Sequence, residues 1–217
     1  VVTRGEKRCS TLSVIQEPHM SKRIDFYFDF GSPTAYLAWT QLPKIASEYG
    51  AELALKPVLL GAIHKATNNA SPATVPAKAA WMQRDLAQFA ASYGVRFEHN
   101  PYFPINTLVL MRGATGTRMR DEGLFDRYVD VIFRAMWETP HNLGDMETLK
   151  AVLRNGDLDP ELIFEIVQDP AVKEKLKADT DAAVARGLFG APTMFVGEQM
   201  FFGQDRLNFV RDALQFD

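Results

Sequence analysis

Residues 24–39 read IDFYFDFGSPTAYLAW, and the order of residue types in this stretch decides how the rest of the chain is read. Ile24 to Phe30 alternates apolar and polar side chains and is crowded with aromatic rings, the pattern of a half-buried strand. Gly31 ends it. Ser32 then offers a hydroxyl at a helix N-cap, and Pro33 occupies the first helical position, where a missing N–H costs no hydrogen bond. The spacing predicts a helix from Pro33 to Tyr49 with Gly50 as its stop. Residues 51–58, AELALKPV, alternate again as a second strand. Strand, helix and strand in that order predict a parallel pair joined by a right-handed crossover.

From Leu60 to Gln168 the pattern becomes helical. Met82, Leu86, Phe89 and Tyr93 mark one helix that stops at Gly94, and Phe125, Val129, Ile132, Phe133 and Met136 mark another. Leu149, Val152 and Leu153 mark a shorter one, and a charged helix follows over residues 172–186. The loops between carry turn formers, as in NNASP at 68–72 and NPYFP at 100–104. Alternation returns in Thr193 to Val196, a Gly197-Glu198 turn and Met200 to Phe202, which together read as a hairpin, and residues 205–216 close as a helix. Strands at both ends with helices between them predict an α/β sheet domain, residues 22–60 and 187–217, interrupted by an all-helical insertion domain at 61–186. Residues 1–21 read as an N-terminal extension or leader ahead of the first recognisable structure.

Composition narrows the function. With 217 residues, 47% apolar and 24% charged, the chain is long enough to bury a substantial core without staples. A net charge of -3 argues against a nucleic-acid binder, which needs excess Lys and Arg to displace counterions from phosphate. No apolar run is long enough for a membrane span, so no membrane partner is expected. Cys9 is the single cysteine, so no internal disulfide and no C-x-x-C pair can form, and the chain is read as cytoplasmic. His19, His64, His99 and His141 lack any ligand spacing, and no metal is expected.

Four motifs in fixed order carry a family resemblance: FYFDFGSP at 26–33, PVLLGAIHKATNN at 57–69, FPINT at 103–107, and GAPT at 190–193 with FFGQDRL at 201–207. Together they resemble the 2-hydroxychromene-2-carboxylate isomerases, relatives of the kappa-class glutathione transferases and, more distantly, of DsbA-like oxidoreductases. The resemblance spans residues 23–214 and implies a thioredoxin-like fold carrying the helical insertion. It also implies that Ser32-Pro33-Thr34-Ala35 stands where a disulfide oxidoreductase has Cys-x-x-Cys. Thiol–disulfide exchange by the chain's own residues is thereby excluded.

The same resemblance implies glutathione as cofactor. Its contacts would be Ser32, Asn69, Ala191, Pro192 in cis, Gln204 and Asp205, with Asp205 suited to the γ-glutamyl ammonium. Ser32 is the candidate catalytic residue: its hydroxyl and the positive end of the following helix would favour the bound thiolate without bonding covalently to it. Lys65 is the candidate for the carboxylate of a small aromatic 2-oxo acid substrate, with Arg84 and Asn106 beside it. The implied reaction is interconversion of 2-hydroxychromene-2-carboxylate and trans-o-hydroxybenzylidenepyruvate in aromatic catabolism, on a homodimer. A kappa-class-like transferase and a non-catalytic thioredoxin-like binding module are the alternatives. Read by local chemistry alone, Ser32 and Asp205 are also ordinary helix caps, Asn69 a turn residue and Lys65 a solvated charge.

Overall fold

The computed structural model describes residues 22–216, so the expected leader, residues 1–21 with Cys9, lies outside the described residues. Strand β1 (Arg23–Phe28) leads into helix α1 (Pro33–Tyr49) and strand β2 (Glu52–Pro57). Helices α2 (Leu60–Thr67), α3 (Pro76–Tyr93), α4 (Leu108–Arg120), α5 (Glu122–Trp137), α6 (Met146–Asn155) and α7 (Pro160–Gln168) follow. Helix α8 (Pro170–Ala185), strands β3 (Thr193–Val196) and β4 (Gln199–Phe202) and helix α9 (Leu207–Phe216) complete the chain. The sheet order is β2-β1-β3-β4. β1 runs parallel to β2, from Arg23 opposite Glu52 to Phe28 opposite Pro57, and antiparallel to β3, with Ile24 opposite Val196. This is the expected thioredoxin-like α/β arrangement, its two halves meeting at β1 and β3. None of the described helices is long and apolar enough to cross a membrane.

The predicted first strand ran to Phe30, and the observed one ends at Phe28. Asp29 breaks the alternation physically: its carboxylate turns inward to accept backbone N–H groups, and the chain leaves the ladder there. The last helix also begins later than expected. A single 3-10 turn, Gln204–Arg206, precedes it, and no side-chain cap bond forms at the start of that turn.

One apolar core joins the sheet to the inserted helices. Phe28 and Phe30 lie 5.4 and 4.8 Å from the ring of Phe133 in α5, and Trp39 of α1 stacks on the same ring at 5.2 Å. Helix α4 threads the middle of the helical layer, buried from Leu110 to Thr117 except for Arg112. A Cβ on Gly113 would sit 2.1 Å from the Tyr128 hydroxyl, and one on Gly116 2.1 Å from Ile166 Cγ2, so both glycines mark close approach of α5 and α7. Helices α5, α6, α7 and α8 each start on an aspartate cap: Asp121, Asp145, Asp159 and Asp169 accept from backbone N–H groups two or three residues on.

The other sheet face is covered by α2 and α8 through Val58, Ile63, Ala183, Leu188 and Phe195. Arg186, just past α8, locks this layer. Its guanidinium donates to Asp25 Oδ2 at 2.7 Å, to the Tyr27 hydroxyl at 3.2 Å and to the Gly197 carbonyl at 3.1 Å, and lies 3.8 Å over the Phe195 ring. Burial works against the Asp25 charge, but the Arg186 and Arg23 side chains hold its carboxyl below the usual range. The resulting stability is present above the ordinary Asp value and is lost as pH falls through the lowered one. Arg186→Ala is therefore expected to cost about 1 kcal/mol at neutral pH, because it removes one charged partner of the partly buried Asp25 carboxylate and leaves Arg23 and Lys56 in place. Urea unfolding should show a gap between variant and parent that narrows as pH falls through the acid range.

Candidate active site

The corner after β1 is held by donors and acceptors from several parts of the chain. Asp29 is 1% exposed. Its Oδ1 accepts from the Gly31 N–H at 2.8 Å and its Oδ2 from the Leu60 N–H at 2.8 Å, and the nearby Thr107 side chain also favours the charged carboxylate. Leu60 opens α2, whose N-cap Leu59 has no side-chain cap, so the carboxylate serves that helix start from across the fold. Burial pushes the Asp29 carboxyl above its ordinary value, against the pull of these donors and of His64. Burial in turn lowers the His64 imidazole, with Asp29 pulling the other way. The Asp29 carbonyl accepts from the Ser32 N–H at 3.0 Å. Phe30 is clasped too: its N–H points to Met111 Sδ at 3.5 Å and its carbonyl accepts from Trp137 Nε1 at 2.8 Å.

Ser32 is 4% exposed and caps α1, its Oγ accepting from the Ala35 N–H at 3.1 Å. The same Oγ donates to the Ala191 carbonyl at 2.9 Å and lies 2.9 Å from Thr34 Oγ1. The Ala191–Pro192 peptide is cis, and so is Phe103–Pro104, which the sequence reading did not anticipate. The Pro192 carbonyl accepts from the Gly203 N–H at 3.0 Å, immediately ahead of Gln204 and Asp205. Ser32, Ala191, Pro192, Gln204 and Asp205 thus follow one another along a short hydrogen-bonded path.

Asn69 joins the same loop, its Nδ2 donating to the Phe189 carbonyl at 2.8 Å. Gln204 is buried, and its carbonyl accepts from the Tyr93 hydroxyl at 2.8 Å. Asp205 pairs with Arg206 at 3.1 Å. A second carboxylate faces it: burial and the Asp205 charge both push Asp85 of α3 above the usual range. A cavity of about 370 Å³ borders this edge, with Gln41, Phe89, Tyr93, Gln204, Asp205 and Arg211 in its wall. A second groove, about 440 Å³, lies beside Tyr36, Trp39 and Arg134, and Ser32 lines neither of the two. The polar groups converge on Ser32 and the cis-proline loop, so the site is assigned there and not to that larger groove.

The substrate candidates are less closely tied. Lys65 is exposed on α2, Arg84 is exposed on α3, and neither enters an ion pair among the described residues. Asn106 is exposed, and its Oδ1 accepts from the Leu108 N–H at 3.0 Å at the start of α4. The sequence reading missed Asp29, Thr34 and Asp85 as members of the site. Asp29 passed as the polar partner of an alternating strand, and Asp85 carries no local signal.

A profile of the DsbA-like thioredoxin domain matches residues 23–215. The chain is 32% identical to a 2-hydroxychromene-2-carboxylate isomerase of Sphingobium xenophagum, over 90% of this chain and 99% of that protein. It is 30% identical to glutathione S-transferase kappa 1 of Caenorhabditis elegans, over 89% of this chain and 91% of that one. Among solved structures, a 2-hydroxychromene-2-carboxylate isomerase superposes with a TM-score of 0.79 at 30% identity, covering 89% of this chain and 95% of that chain.

The Asp29 knot can be tested on stability. An amide at this position offers one acceptor oxygen where two backbone N–H groups need one each, so Asp29→Asn leaves a buried donor unpaired. The expected cost is about 1–3 kcal/mol, read as a lower urea midpoint. Because burial raises the folded value, the parent's own contribution from this group falls as pH climbs from 3.8 through the raised value. Asp29→Asn should lack that slope.

Proposed function

The chain belongs to the DsbA-like thioredoxin-domain family, together with the 2-hydroxychromene-2-carboxylate isomerases and kappa-class glutathione transferases, and on that footing we propose that it is a glutathione-dependent isomerase. Its substrates are the 2-hydroxychromene-2-carboxylate and trans-o-hydroxybenzylidenepyruvate pair or a close aromatic analogue. The observation that carries the reading is the Ser32 hydroxyl, set at the start of α1 and 2.9 Å from the carbonyl ahead of cis-Pro192. Where an oxidoreductase would carry its sulfurs, this chain has Ser32 and Ala35.

The residues present fit the cofactor. The backbone of Ala191, beside Ser32, suits a peptide group, and the Asp205 and Asp85 carboxylates suit an ammonium. Bound glutathione would supply a thiolate that adds reversibly to an unsaturated carbon, leaving a single bond about which the substrate can rotate before the double bond reforms. Ser32 and the N–H groups opening α1 stabilise negative charge at the sulfur's position. The corner's burial excludes water, which strengthens those interactions. Lys65, Arg84 and Asn106 would receive the substrate carboxylate.

The nematode kappa-class relative favours a second reading, a transferase that consumes glutathione. Three measurements separate the readings. Calorimetry should show reduced glutathione binding at millimolar concentration or below, and absence of binding would end both. Isomerisation should vanish after complete removal of glutathione and return on its addition with no net thiol loss, whereas stoichiometric loss would establish the transferase. Ser32→Ala should lower turnover on the order of a hundredfold with a much smaller change in glutathione affinity.

A further inference from the structure

We propose that Thr34 is a positioning residue that makes Ser32 an obligate proton donor toward the bound thiol; the inference rests on the glutathione reading above. It follows from counting the hydrogen-bonding capacity of one hydroxyl. Ser32 Oγ has one proton and two lone pairs. It lies within bonding distance of three groups: the Ala191 carbonyl at 2.9 Å, the Ala35 N–H at 3.1 Å and Thr34 Oγ1 at 2.9 Å. A carbonyl only accepts and an N–H only donates. All three contacts are hydrogen bonds in one arrangement alone: Ser32 donates to Ala191, and Thr34 donates to Ser32.

Thr34 is not the usual helical threonine. Thr40, Thr67, Thr115, Thr117 and Thr180 donate to a backbone carbonyl three or four residues earlier. Thr34, in the first turn of α1, turns to the cap side chain instead, as Thr148 does beside Asp145. At Thr34 the cap is the hydroxyl of the candidate site, and Thr34 itself is half-buried while Ser32 is buried.

The consequence is chemical. With both lone pairs occupied, Ser32 cannot accept a hydrogen bond from a neutral S–H, which would favour the protonated thiol. Its single proton can only be given, to the Ala191 carbonyl or to a thiolate seated on the same side of Oγ, because the other two directions hold the Ala35 and Thr34 donors. Two donors into the oxygen also polarise the remaining O–H and strengthen it. Without the Thr34 hydroxyl, one lone pair reopens and the thiol form gains a partner.

The test follows the thiolate absorbance of reduced glutathione bound to the intact protein across pH, for the parent chain and for Thr34→Val, Thr34→Ala and Thr34→Ser. Thr34→Val should bind glutathione within about threefold of the parent but raise the bound thiol pKa by roughly half to one unit, about the worth of one neutral hydrogen bond. Thr34→Ser should keep the parent value, and Thr34→Ala supplies the same comparison if the valine variant does not fold. An unmoved pKa in Thr34→Val or Thr34→Ala overturns the proposal, as does a Thr34→Ser shift equal to that of Thr34→Val. Failure of the parent to bind glutathione overturns the functional reading and this inference with it, whereas binding with an unmoved pKa overturns this inference alone.

Discussion

The Asp29 carboxylate accepts hydrogen bonds from the Gly31 and Leu60 N–H groups, and Thr107 lies against the same corner, so the starts of three helices meet there. Gly31 precedes the α1 cap, Leu60 opens α2, and Thr107 stands at the N-cap position of α4. Helix starts carry unpaired N–H groups and a partial positive charge, so a buried carboxylate is the natural group to gather them. Removing its charge from water is costly, and its donors offset that cost only if they arrive together. The geometry of the corner that presents Ser32 is therefore not a local property of residues 29–35. It is set by where two distant helices begin.

The inserted helices reinforce the same point. Met111 of α4 and Trp137 of α5 take up both polar backbone groups of Phe30, and Phe133 fills the space beneath Phe28, Phe30 and Trp39. Sheet and insertion share one core, and the insertion grips the corner at backbone level. Substitutions that shift α4 or α5 would be felt at Ser32 before they were felt at the far edge of the sheet. The close approaches at Gly113 and Gly116 leave α4 little room to shift without also displacing α5 or α7.

What could be read from the sequence was what local chemistry writes down. β1, α1, β2 and the closing hairpin each carry alternation, a cap or a turn within a few residues, and the structure places them within two residues of expectation. Helix α4 carries no such pattern. It is buried on nearly every side, so its residues are small and mixed, as in Gly113-Ala114-Thr115-Gly116-Thr117, and no apolar stripe forms. Asp29 was invisible for a related reason: an aspartate in an alternating strand looks solvated, and only the tertiary fold shows its carboxylate turned inward. Family resemblance named Ser32, Ala191, Pro192, Gln204 and Asp205 as candidates, and the hydrogen bonds that link them could not be read, since they join residues up to 159 positions apart.

The corner also contains an electrostatic conflict that its construction resolves. A thiolate held near Ser32 would add negative charge within a turn of a carboxylate that burial already pushes toward its protonated form. Two like charges so close disfavour each other. The Asp29 carboxylate takes the Gly31 and Leu60 N–H groups, while the Ala35 N–H and the Thr34 hydroxyl donate to Ser32 Oγ at the start of α1. The donors that serve Asp29 and those that serve Ser32 are therefore separate. A cysteine at position 32 would place the sulfur inside the second set permanently and commit it to covalent exchange. With serine those donors are spent on Oγ, and the Ser32 proton is the group that a sulfur arriving and departing with its carrier would meet.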